Sequence, residues 1–319
     1  MQSSGVQRSS SPSVLIVRLD AIGDALVTVP LVAALRAAGF AVSAVLSKAN
    51  AEAFSQRALE YVHIGLESLD EVRTRKYDVA LIPSEEPEAY ELARDAGIPK
   101  RIGFWHGLRA KPFKSLWIRR QCTRVVYRPA GLDTGGRHEC EIVFELGRVL
   151  LPNQSAPREP QTLRPLVIDN DPVSDARVAF QVTDKWTRLG ASINDVVAAA
   201  ARARDRHELR FIASSSERSF ADRFAHKVNA KIDFFDSLPP WKEAIAASRA
   251  LIAPDSGAAH VAGMTGTPVV AVYGSQEFIP QVNRWRPWAA PAETIWLKPE
   301  WAWRVYGALD TLLNETADA

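Results

Sequence analysis

Short apolar runs alternate along this chain with longer stretches whose apolar positions recur every three or four residues. VLIVRL (14–19) is a continuous apolar run that stops abruptly at DAIGD, the pattern of a strand buried on both faces. From Ala25 the segment ALVTVPLVAALRAAG has helical spacing and ends at Gly39, a C-cap residue. AVSAVLS (41–47) and DVALIPS (78–84) predict further strands, and 88–97 a helix closed by its own glycine. HECEIVFELGRVLLP (138–152) predicts a helix halted by Pro152. After the polar, proline-rich NQSAPREPQTLRP the alternation restarts. RVAFQV (177–182), LRFIAS (209–214), RALIAP (249–254) and PVVAVYG (268–274) predict strands, with helices at about 194–204, in SERSFADRFAHKV, PPWKEAIAAS and GAAHVAGM. Such alternation predicts βαβ units and parallel sheets.

The halves are alike, which predicts two facing, doubly wound, Rossmann-like α/β domains with an interdomain cleft. The expected division is a disordered stretch at 1–13, a first domain at 14–158, a linker at 159–172 and a second domain at 173–300. An amphipathic terminal helix at 301–319 is expected to pack back across the first domain.

Composition narrows the class. With 47% apolar and 24% charged residues among 319, the chain is that of an ordinary globular protein. No stretch approaches the roughly 18 consecutive apolar residues of a membrane-spanning helix, and MQSSGVQRSSSPS lacks the apolar core of a secretory signal, so a cytoplasmic protein is expected. Cys122 and Cys140 are the two cysteines, without metal-ligand spacing. They are expected to be reduced and structural.

The net charge of +2 conceals an asymmetry: Lys100 to Arg128 holds nine basic residues, Arg101, Arg109, Lys111, Lys114, Arg119 and Arg120 among them, and no acid. Aromatic residues are interleaved with these charges. The segment predicts an anionic partner, by phosphate or carboxylate or at a membrane surface; a nucleic-acid partner is not expected, since no recognised binding motif accompanies the run.

Two strand-end turns carry the candidate chemistry. Asp255, Ser256 and Gly257 follow RALIAP and open a helix containing Ala258 and His260. Free N–H groups there, with Gly257 removing a blocking side chain, form a diphosphate cradle. Local rules alone equally allow a plain Asp or Ser N-cap. A Ser256–His260–Asp255 hydrolase triad is disfavoured by the crowding of those residues and the absence of a GxSxG elbow. In RLDAIGDA, Asp20 and Asp24 follow the first strand without GxGxxG. Asp24 is expected to stay ionised near a helix start and to accept a proton from an alcohol. In DKWTR, Lys185 and Arg188 are placed to meet phosphate, and Glu217, after a later strand, to hold ribose hydroxyls.

Together these pieces resemble glycosyltransferase family 9, the ADP-heptose:lipopolysaccharide heptosyltransferases. VLIVRLDAIGDALVTVPLVAALR is similar to that family's opening strand, Gly-Asp turn and helix; YDVALIPS with AGIPKRIGF to its later first-domain strands; RHECEIVFELGRVL to its domain-ending helix; and APDSGAAHVAGMTGTPVVAVYGSQEFIPQVNRWRPW to its donor-site signature. The resemblance covers nearly the whole chain from Val14. It implies a GT-B fold, acceptor on the first domain and nucleotide sugar on the second, and an inverting transfer without cofactor or metal.

By position, Asp24 matches the general base and Lys185 a phosphate-binding lysine that stabilises the leaving nucleotide. Asp255 matches the acid that contacts the donor sugar, Ser256, Gly257 and Ala258 the diphosphate turn, and His260 the histidine of the signature helix. The implied partners are ADP-heptose or another nucleotide sugar and an anionic inner-core glycolipid at the inner membrane surface. FQVTDKW stands where the family often has a Pro-Gly-Ala-like turn, and PSEEPEAYE where it often has Asp-Leu-Gln-Gly. Two other readings stay open: a degenerate member that binds without turnover, and a GT-B sugar-nucleotide enzyme with a different donor.

Overall fold

The computed structural model describes residues 11–132, 134–274 and 276–317. Most of the stretch expected to be disordered, 1–10, lies outside the described residues, and Ser13 already belongs to the first strand.

The first domain runs β1 (Ser13–Arg18), α1 (Ile22–Leu26), α2 (Val29–Ala37), β2 (Ala41–Leu46), β3 (Val62–Ile64), α3 (Leu69–Arg75), β4 (Val79–Ile82), α4 (Pro87–Asp95), β5 (Lys100–Trp105), α5 (Gly107–Ala110), α6 (Pro112–Gln121), β6 (Arg124–Tyr127) and α7 (Glu139–Phe144). After α8 (Pro160–Leu163) the second runs β7 (Asp175–Gln181), α9 (Lys185–Arg188), α10 (Ile193–Arg204), β8 (Leu209–Ser214), α11 (Arg218–Val228), β9 (Ile232–Phe235), α12 (Leu238–Ala247), β10 (Ser248–Pro254), α13 (Gly257–Thr265), β11 (Val269–Tyr273), α14 (Phe278–Trp285), β12 (Ala292–Trp296) and α15 (Trp301–Ala317).

Each domain is a six-stranded sheet, ordered β3-β2-β1-β4-β5-β6 and β12-β11-β10-β7-β8-β9. All pairings are parallel; Val14 lies opposite both Val42 and Val79. Helices cover both faces, so Val14 to Val17 are all buried, as a continuous apolar strand requires. The two sheets are wound identically. Their orders reverse between β1 and β4 and between β10 and β7.

Three expectations change. The helix expected over 25–39 is two, α1 and α2, because Pro30 has no N–H to give and fits only a first helical turn. The helix expected over 138–152 stops at Phe144 and tightens into a 3-10 turn over Glu145–Gly147, where Gly147 packs on Leu31 with no room for a side chain. The terminal helix α15 does not return to the first domain. Its Val305, Leu309, Leu312 and Leu313 complete the core of the second, and Trp301 stacks on Trp186 with centroids 5.4 Å apart.

The expected linker is a docked segment. It carries α8 and buries Leu163, Leu166, Val167 and Ile168 in an apolar cluster that continues from the first domain into α13 and β10. Arg164 in it donates to the Thr265 carbonyl at 3.0 Å. The two domains therefore share a core beneath the cleft. Among the described residues no helix is long and apolar enough to cross a membrane.

Candidate active site

The carboxyl ends of β1, β4, β7 and β10 face the cleft at the reversal points, where doubly wound sheets bind ligands. They carry, in turn, Asp20 and Asp24, Glu85, Lys185, and Asp255 to Gly257.

Asp24 is held by Arg18, a charged residue at the end of an otherwise apolar strand. The buried guanidinium donates to Asp24 Oδ1 at 2.8 Å, lies 3.4 Å from Asp20 Oδ2 through Nε, and donates to the Pro83 carbonyl. One cation thus fixes both carboxylates and the loop after β4. Burial raises the Asp24 pKa, Arg18 opposes it, and Asp20 and Glu139 add to the rise. The helix start expected to keep Asp24 ionised is only five residues long, and desolvation outweighs it. A carboxylate tuned upward is the better base.

Across the cleft, Ser256 is extended at the start of α13 and does not cap it. Its hydroxyl donates instead to Gln181 Oε1 at 2.7 Å. The first N–H groups of α13, at Gly257 and Ala258, therefore carry no side-chain cap, and a nine-residue helix aims its positive end at the cleft. The plain Ser256 cap that local rules allow is thus not formed. Asp255 is oriented from α14 by Gln281, whose Nε2 donates to Oδ2 at 2.7 Å.

His260 joins the two turns. It is buried, its Nδ1 has no partner among the described residues, and its imidazole lies beside Gly23 of the first domain. Burial lowers its pKa, with Asp255 and Asp24 pulling upward and Lys185 downward. Gly257 makes the reciprocal approach, facing Ile22. Asp24 and Asp255 thus flank one neutral imidazole.

Behind these turns opens a cavity of about 350 Å³, within the range of ligand pockets. Gln181, Thr183, Lys185, Arg188, Ser256 and Gly257 line its polar side, and Phe235, Leu238 and Trp241 an apolar end; Lys48 and Glu52 reach in from the first domain. Glu217 also lines it, but its carboxylate is occupied: it accepts from Thr183 Oγ1 at 2.7 Å and from the Asp184 N–H at 3.0 Å, bracing the β7–α9 turn. Arg188 donates to Asp184 at 2.5 Å on the cavity rim.

The basic segment divides. It forms the unit β5–α5–α6–β6, and α6 runs from the cleft edge back to the far edge of the sheet. Lys111 and Lys114 sit at the cleft edge, and Arg109 is exposed there on α5. Arg119 and Arg120 are exposed at the opposite end, and Arg101, at the start of β5, donates to the Gln121 and Ile98 carbonyls. Those three arginines do not line the cleft.

The expectation from residues alone missed an ionic chain that runs from the cleft edge into the buried interior. Glu85 accepts from Lys111 at 3.1 Å, from Lys114 at 3.3 Å and from Arg128. Arg128 also donates to the fully buried Glu139 at 2.7 Å, which accepts from Arg284 of the second domain at 2.7 Å. Burial would raise the Glu85 pKa, but Arg128, Lys111 and His106 bring it down to about 2. The visible signal was an acid, Glu85, just past the apolar run DVALIPS, upstream of a stretch with nine basic residues and no acid.

Residues 197–311 match the sequence profile of glycosyltransferase family 9 (heptosyltransferase), a span that includes the Asp255–His260 turn. Over this span the chain is similar to glycosyltransferase family 9. None of the curated proteins matches it by sequence.

Solved structures extend the likeness of this glycosyltransferase over both domains. A glycosyl transferase family 9 protein from Veillonella parvula superposes with a TM-score of 0.72 at 15% identity, covering 98% of this chain and 100% of that one. The ADP-heptose lps heptosyltransferase II of E. coli gives 0.71 at 15%, over 96% and 99%. The E. coli heptosyltransferase WaaC, solved with ADP, gives 0.69 at 15%, over 95% and 99%. At such identities the likeness establishes the GT-B architecture, two Rossmann-like domains about a cleft. Among the described residues no group of three His, Cys, Asp or Glu side chains is placed to hold a metal ion.

Proposed function

We propose that this glycosyltransferase moves heptose from ADP-heptose to an inner-core lipopolysaccharide acceptor of the Kdo–lipid A type, with inversion at the anomeric carbon. The observation that carries the reading is the meeting of the Asp24 turn and the uncapped Asp255–Gly257 turn about His260. WaaC's ADP and the 2-deoxy-2-fluoro heptose analogue of another WaaC structure are consistent with a nucleotide sugar in the cavity behind that turn.

In this reading Asp24 accepts the proton of the acceptor hydroxyl as its oxygen forms the bond to the anomeric carbon. The bond from that carbon to the diphosphate oxygen breaks on the opposite face. The departing charge falls to the N–H groups of Gly257 and Ala258 and to Lys185. The proton ends on Asp24 and the electron pair on ADP, so no group on the protein needs to be oxidised or reduced.

A place at the cytoplasmic face of the inner membrane belongs to the same proposal. Leu108, Phe113, Leu116 and Tyr127 are exposed around α5 and α6, with Arg109 exposed on α5 and Arg119, Arg120 and Arg124 exposed toward the other end of α6. Apolar side chains on one unit with exposed cations suit an anionic bilayer surface.

The test is incubation with ADP-heptose and Kdo–lipid A, read by ADP release and product mass. Heptosylated product, lost on Asp24→Asn, supports the proposal. ADP binding without product points to the degenerate reading, and ADP release without an acceptor to a different sugar-nucleotide enzyme.

A further inference from the structure

The cavity behind the Asp255–Gly257 turn is walled by both domains. Lys48 and Glu52 enter it from the first, and Lys185, Arg188 and Glu217 from the second. Most of the charge on these walls already has a use. Glu217 is spent on Thr183 and the Asp184 N–H, Arg188 is paired with Asp184, and Glu52 Oε2 accepts from the Leu238 N–H at the start of α12 at 3.1 Å. Asp236, the remaining acid, belongs to the apolar end, in sequence between Phe235 and Leu238. The Lys48 side chain has neither a hydrogen bond nor an ion pair among the described residues.

Lys48 stands on a loop that both domains hold. After β2 the chain turns through Lys48 to Asn50, whose Nδ2 donates to the Arg18 carbonyl at 3.2 Å and to the Asp20 carbonyl at 2.8 Å. Two residues on, Glu52 meets α12, and Lys242 of that helix donates to the Glu52, Ala53 and Phe54 carbonyls. The backbone on the C-terminal side of Lys48 is therefore fixed to the Asp20 turn and to the second domain, while the lysine itself is exposed. A diphosphate has more anionic oxygens than one wall can serve. An ammonium without a carboxylate, in a cavity that also holds Lys185 and the uncapped start of α13, suits the oxygens that those groups leave over.

We infer that Lys48 is a donor-binding residue supplied by the first domain: its ammonium takes a phosphate oxygen of the nucleoside diphosphate held by Lys185 and the α13 turn, so that the donor is gripped from both sides of the cleft. The inference rests on the reading of this cavity as the donor site and deepens it. It also ties donor occupancy to the acceptor side, because the same loop carries the Asn50 bond to the Asp20 carbonyl.

The test compares ADP with adenosine by ligand-observed NMR titration of wild type, Lys48→Met and Lys48→Arg. Lys48→Met should bind ADP about tenfold more weakly or worse, and adenosine within about twofold of wild type, since only phosphate is contacted. Lys48→Arg keeps the charge and should stay within about threefold of wild type for ADP. Lys48 has no partner to lose, so both variants should melt with wild type. An ADP affinity of Lys48→Met within about twofold of wild type, an equal loss for adenosine, or a Lys48→Arg as weak as Lys48→Met overturns the inference. UDP with uridine and GDP with guanosine are titrated in parallel. A wild type that prefers UDP or GDP removes ADP-heptose as donor while the effect of Lys48 is read with the preferred pair, so the two readings fail separately. Binding of none of the three diphosphates overturns both.

Discussion

The imidazole of His260 fills the space beside Gly23, so that a methyl group at position 23 would lie 3.1 Å from Cδ2 and 3.6 Å from Nε2. Glycine is therefore favoured here by the opposite domain, not by its own backbone, whose φ is not positive. Gly23→Ala must shift by a few tenths of an ångström the imidazole that both Asp24 and Asp255 influence. Overpacking of this kind costs about 1–3 kcal/mol. Misplacement of reacting groups should cost roughly tenfold or more in kcat/KM. The double variant with His260→Ala should regain the stability lost by Gly23→Ala, because the clash is then absent. Additive losses in thermal unfolding would mean that the two residues act independently.

Asp24 ties pH to both activity and stability. As a base it must be ionised, and its pKa is raised by burial, so the acid limb of kcat/KM should lie above the ordinary Asp range. Asp24→Asn should lower kcat/KM by about 10²–10⁴. For stability the sign is opposite. A carboxyl whose folded pKa exceeds its unfolded value contributes stability below the unfolded value and loses it as pH climbs through the folded one. At neutral pH the ionised side chain is thus a cost, and Asp24→Asn should melt at or above wild type there, the gap closing in acid. A variant that melts lower at pH 7 would show that the bond from Arg18 outweighs desolvation.

The membrane surface is tested at Phe113 and Leu116, which are 86% and 49% exposed and lie one turn apart on α6. Replacing both by Glu removes apolar area and opposes the adjoining arginines while leaving the core untouched. Sedimentation with vesicles containing anionic lipid should fall at least tenfold, on the order of 1.4 kcal/mol or more. Thermal stability should stay within about 0.5 kcal/mol, as for other surface changes. Unchanged sedimentation would assign the patch to something other than lipid.

These sites differ in how far the chain announces them. Strands such as VLIVRL and RALIAP are legible because burial on both faces demands continuous apolar runs, and the polar residues just after them are then placed at the cleft. The short β3 and the edge strands β9 and β12 escape, since IDFF and AETIW mix charge with apolar residues on half-buried edges. Ser256 reads locally as a cap, yet its hydroxyl bonds Gln181, 75 residues earlier. The nine cations read as one patch, but a strand–helix–strand unit sends them to both ends of the sheet. Arg128 with Glu85 and Arg284 with Glu139 are contacts across 43 and 145 residues, and no local rule pairs them.

Lys242 joins the domains beneath the cavity. Its side chain leaves α12 and is buried, and Nζ lies 2.6 Å from the Glu52 carbonyl, 3.2 Å from that of Ala53, 3.4 Å from that of Phe54 and 2.5 Å from that of Val167. A first-domain loop and the interdomain segment are thus pinned to a second-domain helix by one amine. Lys242→Met keeps the length of the side chain and leaves those carbonyls without their donor, which should cost about 3 kcal/mol in urea unfolding. Because Trp241 and Leu238 of α12 and Glu52 of the loop line the cavity, the KM for donor should rise while Asp24 is untouched. Burial lowers the amine's pKa to about 8, against the opposing pull of Asp169, Glu52 and Glu243. Unfolded lysine holds its proton to higher pH, so the contribution of this group grows as pH rises from about 8 toward the ordinary lysine range. The stability gap between wild type and Lys242→Met should widen across that window. A gap that narrows there would mean that the charged ammonium, rather than the neutral amine, is the form the fold prefers.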